Sequence, residues 1–395
     1  MSLNETVSAE RVHIGFFGKR NAGKSSLVNA VTGQSLAVVS DVKGTTTDPV
    51  KKAMELLPVG PVVIIDTPGL DDEGALGEMR VEKTREILSR TDIAVIVVDA
   101  SLGKTTEDEA FVAELEKRKL PYILVYNKSD MTESRVALGE NELLVSARTG
   151  DGINALKEKI GEIAKSKGEK KLILADLISQ GDMVVLCIPI DEAAPKGRLI
   201  LPQQLVLREL LDCRASALCC QPGELPELLS NLQKKPRLVI TDSQVFGEVS
   251  QLVPQDVQLT SFSILMARYK GELSALVEGA GVLSRINDGD KILISEGCTH
   301  HRQCNDIGTV KLPGWIKNYS KAEPDFSFTS GGEFPKDLSG FSLVVHCGGC
   351  MLNEKEMKHR MQVAEEQGVP MVNYGVAIAQ MNGILSRSLE PFQEK

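Results

Sequence analysis

The sequence contains no long apolar run. None of its stretches approaches the roughly 18 to 20 uninterrupted apolar residues that a membrane span needs. The residues at the start are polar and lack the apolar centre of a secretion signal. We therefore expect a cytoplasmic protein with no membrane partner.

Basic residues are also few. The chain has 45 Lys and Arg against 54 Asp and Glu, and a net negative charge repels polyanions, so we expect no nucleic-acid partner. Eight cysteines among 395 residues, without a secretion signal, do not indicate a disulfide framework. Metal binding, catalysis or packing must account for these cysteines. The length of the chain suggests two or three domains.

A phosphate-binding motif lies near the start of the chain. Residues 11–17 form an apolar strand pattern and lead into G-K-R-N-A-G-K-S, which fits G-x-x-x-x-G-K-S. In such a loop, backbone N–H groups surround the phosphates, the lysine reaches the terminal phosphates and the serine hydroxyl binds magnesium. The predicted nucleotide-binding residues here are Gly18, Asn21, Ala22, Gly23, Lys24, Ser25 and Ser26.

Three further motifs follow apolar strand patterns in the order expected of a GTPase. Asp66-Thr67-Pro68-Gly69 supplies an aspartate for magnesium and a glycine N–H that can sense the γ-phosphate. In Asn127-Lys128-Ser129-Asp130, a carboxylate accepts from two guanine N–H donors that adenine lacks. Ser146-Ala147 follows the next strand and can close over the base. The predicted ligands are GTP and magnesium, with further contacts from Asp66, Asn127, Lys128, Asp130, Ser146 and Ala147.

Two fragments near the other end carry metal ligands. Cys298-Thr299-His300 follows a strand pattern at 291–295, and His346-Cys347-Gly348-Gly349-Cys350 follows another at 341–345. The carboxyl ends of parallel strands lie along one edge of a sheet, so we expect the two fragments to meet there. Asn353 with Glu356 predicts a capped helix, whose positive end would favour thiolates at Cys347 and Cys350.

The ligand types leave two metals open. Three cysteines with one histidine would make a closed zinc site, whereas the same cysteines alone would hold a 4Fe-4S cluster with one open iron. We interpret Cys304 as a bystander. Residues 316–337, which contain aromatics and glycines, are predicted to form a loop that shields the site.

The N-terminal motifs resemble the GTPases of the tRNA-modifying TrmE or MnmE family. Asn21 stands where that family places an asparagine that helps to hold potassium, and Gly44-Thr45-Thr46-Thr47-Asp48 looks like its first switch segment. The resemblance implies that Thr46 senses magnesium and acts in catalysis with Lys24 and Gly69. Leu70 replaces the water-orienting glutamine of many GTPases, so we expect slow hydrolysis stimulated by potassium.

The cysteine fragments, joined to such a GTPase, resemble the FeFe-hydrogenase maturation GTPases, the family called HydF. The resemblance implies a homodimeric scaffold that carries a 4Fe-4S cluster. It also implies that the protein accepts a di-iron precursor built with two radical-SAM maturases and delivers it to apo FeFe-hydrogenase. Carried over by position, Cys298, Cys347 and Cys350 bind the cluster, with His300 and His346 at or near the exchangeable iron.

We therefore predict an α/β protein of three domains. A P-loop GTPase domain spans residues 1–165, a small α/β dimerisation domain spans 172–265, and an α/β domain that binds the iron–sulfur cluster spans 270–395. Two rival interpretations combine the GTPase with a structural zinc site: a tRNA-modification enzyme of the TrmE type, and a regulatory GTPase.

Overall fold

A computed structural model describes residues 10–34, 50–67, 84, 86–132, 138–166, 171–190, 199–297 and 306–393. The chain forms two compact units, Met1–Glu169 and Lys170–Lys395. No helix in the described ranges is both long and apolar enough to cross a membrane.

The first unit is built on a six-stranded sheet in the order β2-β3-β1-β4-β5-β6, in which only β2 runs antiparallel to its neighbour. Its strands are Val12–Phe17 (β1), Val50–Leu56 (β2), Gly60–Asp66 (β3), Ile93–Asp99 (β4), Tyr122–Asn127 (β5) and Glu142–Leu144 (β6). Its helices are Lys24–Thr32 (α1), Thr106–Lys117 (α2) and Ile153–Ser166 (α3).

Helices cover both faces of this sheet. Leu27 of α1 and Ile160 of α3 belong to one core cluster, and Phe111 of α2 belongs to a second. The central strands are nearly continuous apolar runs because neither of their faces meets water. This arrangement leaves the carboxyl ends of β1, β3 and β5 to carry the polar motifs.

The second unit contains two parallel four-stranded sheets. Their orders are β10-β9-β7-β8 and β12-β11-β13-β14. The first sheet comprises Met183–Cys187 (β7), Ser216–Cys220 (β8), Leu238–Thr241 (β9) and Gln258–Ser261 (β10). The second comprises Lys291–Glu296 (β11), Asp325–Ser330 (β12), Leu343–His346 (β13) and Met371–Asn373 (β14).

The two sheets share one core. Val185 and Val239 from the first sheet belong to the same buried cluster as Ile292 and Val345 from the second. The helices of this unit are Leu201–Asp212 (α4), Leu225–Asn231 (α5), Phe246–Leu252 (α6), Phe262–Lys270 (α7), Leu273–Ala280 (α8), Leu312–Ser320 (α9), Glu354–Glu366 (α10), Tyr374–Met381 (α11) and Leu385–Leu389 (α12). The boundary predicted between 265 and 270 falls within α7.

One structural prediction is wrong. Residues 316–337 are not a plain loop, because they contain the end of α9 and the whole of β12. β12 pairs in parallel with β11 along its full length and forms an edge of the sheet. Phe326 and Phe328 alternate with polar residues in β12, which is the period of a strand, although Phe328 is itself exposed.

Candidate nucleotide site and metal centre

The phosphate loop connects β1 to α1 and depends on two glycines. Gly18 has φ +143°, and a Cβ atom there would lie 2.2 Å from the Val97 carbonyl oxygen. Gly23 has φ +88° and caps the N-terminus of α1. A side chain at either position would be strained and would clash, so the loop conformation requires glycine.

Lys24 and Ser25 begin α1 on the inner side of this loop. The ammonium group of Lys24 is buried and donates to the carbonyl oxygens of Gly18, at 2.8 Å, and Lys19, at 2.7 Å. Ser25 Oγ donates to Asp66 Oδ2 at 2.7 Å across the end of β3. The two predicted magnesium ligands from distant parts of the sequence are therefore in contact.

The Asp66 carboxylate fits a divalent cation. Its Oδ1 atom is buried and has no hydrogen-bond partner in the described part of the chain. Burial raises the pKa of Asp66, against the opposing effects of the Ser25 hydrogen bond and the Lys24 charge. A buried carboxylate oxygen without a donor, beside a serine hydroxyl, is a suitable oxygen set for magnesium.

Asn127 links the phosphate loop to the base-binding motifs. It is 1% exposed; its Nδ2 donates to the Ala22 carbonyl at 3.0 Å, and its Oδ1 accepts from the Ala147 N–H at 3.0 Å. A Cβ on Gly23 would lie 2.3 Å from the same Nδ2 atom. The buried amide of Asn127 thus connects its own loop to the phosphate loop and to the loop at Ala147.

The remaining base-binding residues are held by polar contacts. Lys128 Nζ donates to Asp99 Oδ2 at 2.6 Å. Burial raises the pKa of Asp99, but the hydrogen bonds from Lys128 and Ser101 outweigh it and lower the pKa overall. Ser146 Oγ donates to Asp130 Oδ1 at 2.6 Å, which leaves the other carboxylate oxygen beside Arg148 at 3.7 Å.

Some predicted residues of the nucleotide site lie outside the described residues. These are Thr46, Gly69 and Leu70. Asn21 is described: its φ of +61° is that of a turn residue, and it helps to line a cavity of about 180 Å³ between the phosphate loop and the start of α2.

The metal-ligand fragments follow neighbouring strands. β11 and β13 pair in parallel with Ser295 opposite His346, which confirms that the two strand ends lie together. The N–H of Gly297 donates to Cys347 Sγ at 3.1 Å, and the N–H of Gly349 donates to it at 3.4 Å. Cys298 and His300 lie outside the described residues, as do His301 and Cys304. Within the described ranges, no three His, Cys, Asp or Glu side chains form a metal-binding group.

Burial opposes the thiolates that the end of the helix was expected to favour. α10 begins as predicted, with Asn353 Oδ1 accepting from the Glu356 N–H. However, burial raises the pKa of Cys347 to about 11, despite the two amide hydrogen bonds to its sulfur. Burial also raises the pKa of Cys350, against the lowering effects of the Lys270 charge and two backbone amides. Burial is the largest influence on the pKa of both thiols.

His346 has both ring nitrogens engaged. Its Nε2 lies 3.0 Å from Arg360 Nη1, and its Nδ1 lies 2.7 Å from the Cys347 carbonyl oxygen. Because a guanidinium only donates, Nε2 must accept and the proton must lie on Nδ1. Burial and then the Arg360 charge lower the pKa of His346 to about 3, so the ring is neutral.

Sequence reasoning missed Arg360. This residue is 1% exposed and donates to the Glu356 carboxylate at 2.9 Å and to the Gly331 carbonyl at 2.8 Å. The ring of Phe334 lies 5.1 Å from its guanidinium carbon. Glu356, Met357, Arg360 and Ala364 form the buried face of α10, and this helical spacing was the available signal.

Sequence reasoning also missed Lys270. It is the last residue of α7, is 2% exposed, and donates to the carbonyl oxygens of Leu352 at 3.0 Å, Cys350 at 3.2 Å and Gly349 at 3.5 Å. No local pattern in the sequence connects Lys270 with the cysteine loop about eighty residues later.

Three family models match consecutive parts of the chain. Residues 13–128 match a model described as 50S ribosome-binding GTPase. Residues 173–271 match the hydrogen maturase F dimerization domain, and residues 274–391 match the hydrogen maturase F tetramerization domain.

Similar individual proteins include GTPases that match about two fifths of this chain. The tRNA modification GTPase MnmE of Laribacter hongkongensis is 36% identical over 167 residues, which cover 41% of this chain and 37% of that protein. GTPase Der of Kosmotoga olearia is 33% identical over 175 residues, which cover 40% and 39%. The chain thus spans less than two fifths of the length of either of these curated relatives. Among solved structures, Aquifex aeolicus Era bound to GDP.AlF4- is 19% identical with a TM-score of 0.36, over 61% of this chain and 97% of that one.

Proposed function

The chain belongs to the hydrogen maturase F family, HydF, and from that premise we propose that it is a GTP-hydrolysing scaffold that carries a 4Fe-4S cluster. In this proposal it accepts a di-iron precursor made with two radical-SAM maturases and delivers it to apo FeFe-hydrogenase. Its first unit contains a P-loop GTPase domain. The two domains matched in its second unit are oligomerisation domains, which supports a homodimer or a larger assembly of this chain.

The nucleotide site supports magnesium-dependent GTP hydrolysis. Ser25 and Asp66 would hold magnesium through the hydroxyl and the buried Oδ1 atom. Bound magnesium would neutralise charge on the β- and γ-phosphates. Lys24 would exchange its contacts with the loop carbonyls for the terminal phosphates, and Asp130 would accept from the guanine edge.

Potassium stimulation rests on Asn21. Its position in the phosphate loop and the resemblance to MnmE support a monovalent cation beside the phosphates. Leu70 has no group that could orient the attacking water. A cation near Asn21 would supply positive charge to the transition state in place of an arginine finger.

One contact carries the cluster proposal: the Gly297 N–H donates to Cys347 Sγ. It brings the residue before Cys298 in the sequence against the sulfur of the second fragment. The amides of Gly297 and Gly349 both donate to Cys347 Sγ. Hydrogen bonds of this kind stabilise sulfur ligands and tune iron–sulfur clusters.

The ligand set that we propose is Cys298, Cys347 and Cys350. His346 is a supporting residue in this arrangement, because Arg360 and the Cys347 carbonyl occupy its two nitrogens. The fourth iron would then meet His300 or a group from outside the chain. This leaves the cluster with an exchangeable position, as a carrier requires.

The zinc alternatives are less well supported. A zinc site with three cysteines and one histidine would need His300, since His346 is engaged. The MnmE similarity covers 41% of this chain, whereas hydrogen maturase F models match most of the second unit. The part that carries the cysteines thus matches a hydrogen maturase F domain.

Anaerobic reconstitution with iron and sulfide tests the proposal. The wild-type protein should become brown, with broad visible absorption and about four irons per chain. Cys347→Ser should lose the colour yet hydrolyse GTP, and Lys24→Ala should lose hydrolysis yet keep the cluster. Colourless wild-type protein that retains one tightly bound zinc would refute the scaffold assignment.

A further inference from the structure

Asp99 is a residue of the nucleotide site that none of the sequence motifs contains. It ends β4 and lies opposite Asn127, the last residue of β5, in the register of the two parallel strands. Its carboxylate contacts Lys128, the second residue of the guanine-binding motif. We propose that Asp99 is a positioning residue, which holds the Lys128 side chain where the ribose of the bound nucleotide has to pass. The inference rests on the GTP-binding part of the proposed function.

Three hydrogen bonds fix the Asp99 carboxylate. Its Oδ1 atom accepts from the backbone N–H of Ser101 at 2.9 Å and from the Ser101 hydroxyl at 2.6 Å. Its Oδ2 atom accepts from Lys128 Nζ at 2.6 Å. The Ala100 N–H donates to the Asn127 carbonyl at 2.8 Å, which connects the turn after β4 to the end of β5. The carboxylate therefore has a defined position in the free protein.

The side chain of Lys128 runs from the base-binding motif to the phosphate loop. Its backbone lies two residues before Asp130, which would accept from the guanine edge. Its Cε atom lies 3.9 Å from the position that a Cβ atom on Gly23 of the phosphate loop would take. Because the ribose joins the guanine to the phosphates, a nucleotide bound at both places has its ribose beside this side chain.

The ion pair orders Lys128 before the nucleotide binds. Lysine has a flexible four-carbon side chain, and immobilising such a side chain during binding weakens affinity. The pair is partly buried, with 14% of the Asp99 side chain and 30% of the Lys128 side chain exposed. The ribose does not react during hydrolysis, so this ordering should strengthen the binding of GTP and GDP equally and leave kcat unchanged.

The test measures kcat and the affinities of the full-length protein for GDP and a non-hydrolysable GTP analogue, by displacement of a fluorescent nucleotide. Asp99→Asn keeps the shape of the side chain and removes its charge. Lys128→Met removes the ammonium group and keeps most of the stem, and a double variant combines both changes. The control is Glu114→Gln, which removes the same charge from a pair with Arg118 at the end of α2.

We expect Asp99→Asn to weaken both affinities by the same factor, about 3- to 10-fold, while the control binds like the wild type. The double variant should bind no more weakly than Lys128→Met, because Asp99 acts through the ammonium group. An acyclic guanine diphosphate, in which an open chain replaces the ribose, should lose less affinity than GDP. Ser101→Ala removes one hydrogen bond to Asp99 and should give a smaller loss of the same kind.

Unchanged affinity in Asp99→Asn would overturn the inference, as would equal losses for GDP and the acyclic compound. A double variant whose loss is the product of the two single losses would also overturn it, because Asp99 would then act independently of Lys128. If circular dichroism shows that Asp99→Asn does not fold, unchanged affinity in Ser101→Ala decides against the inference. A wild-type protein that binds neither nucleotide would instead refute the GTP-binding part of the proposed function.

Discussion

Replacing Arg360 with methionine should strongly destabilise the second unit. Methionine is unbranched like arginine but shorter, and it has no charge and no donors, so the Glu356 carboxylate would lose the guanidinium in a site where it is 6% exposed. The Nε2 atom of His346 would also lose its donor. Breaking a buried ion pair by removing one partner costs about 3–5 kcal/mol. We include the cost of the lost hydrogen bond to His346 in this range.

Urea unfolding followed by fluorescence would measure this loss. The chain has a single tryptophan, Trp315, which lies in α9 and packs against the core shared by the two sheets of the second unit. With a slope of roughly 3 kcal/mol per molar urea, a loss of 3–5 kcal/mol lowers the midpoint by about 1–2 M.

A double variant separates the ion pair from simple packing. Arg360→Met combined with Glu356→Met removes both charges, so the double variant should be more stable than the single variant Arg360→Met. A loss below about 1 kcal/mol in Arg360→Met would show that the buried network contributes no more than a typical surface contact. An equal loss in the single and double variants would show that the stranded carboxylate is not the cause.

Three further predictions concern the nucleotide site. GTP turnover should be faster in potassium than in sodium, and Asn21→Ala should remove the difference; equal wild-type rates in both salts would exclude the cation mechanism. Gly23→Ala should weaken GTP binding by about 10- to 100-fold, because backbone strain of about 1–3 kcal/mol adds to a clash with Asn127 Nδ2. Titration with a fluorescent nucleotide would measure the affinity, and an unchanged affinity would contradict the geometry of the loop. Asp66→Asn should weaken magnesium-dependent binding while binding without magnesium changes little, and an equal loss in both conditions would exclude a role in holding the metal.

The nucleotide site was largely predictable because its motifs are local. Each motif lies at the end of a short apolar run, and the strands bring those ends together at one edge of the sheet. The contact of Ser25 with Asp66 spans forty-one positions, yet it follows from two adjacent parallel strands.

The supports of the cysteine loop were not predictable in this way. Lys270 contacts the cysteine loop and Arg360 contacts His346. Folding, and not proximity in the sequence, brings each of these pairs together. A charged residue in a helix usually lies on the solvated face, so the spacing of Arg360 with Met357 and Ala364 was a weak signal for its burial, and Lys270 gave none. The strand β12 was missed because none of its residues is buried, and an edge strand of this kind gives a weak hydrophobic pattern.

The raised pKa values of the two thiols lead to a physical account of the site. In a buried environment the amide donors, joined at Cys350 by the Lys270 charge, do not offset the cost of a free thiolate charge. A cluster cation bound to the same sulfurs would neutralise that charge directly, and the low dielectric that opposes the free thiolate would then strengthen the bond. The burial that keeps Cys347 and Cys350 protonated in the absence of metal is thus compatible with tight metal binding, and the amides of Gly297 and Gly349 keep the Cys347 sulfur in place for it.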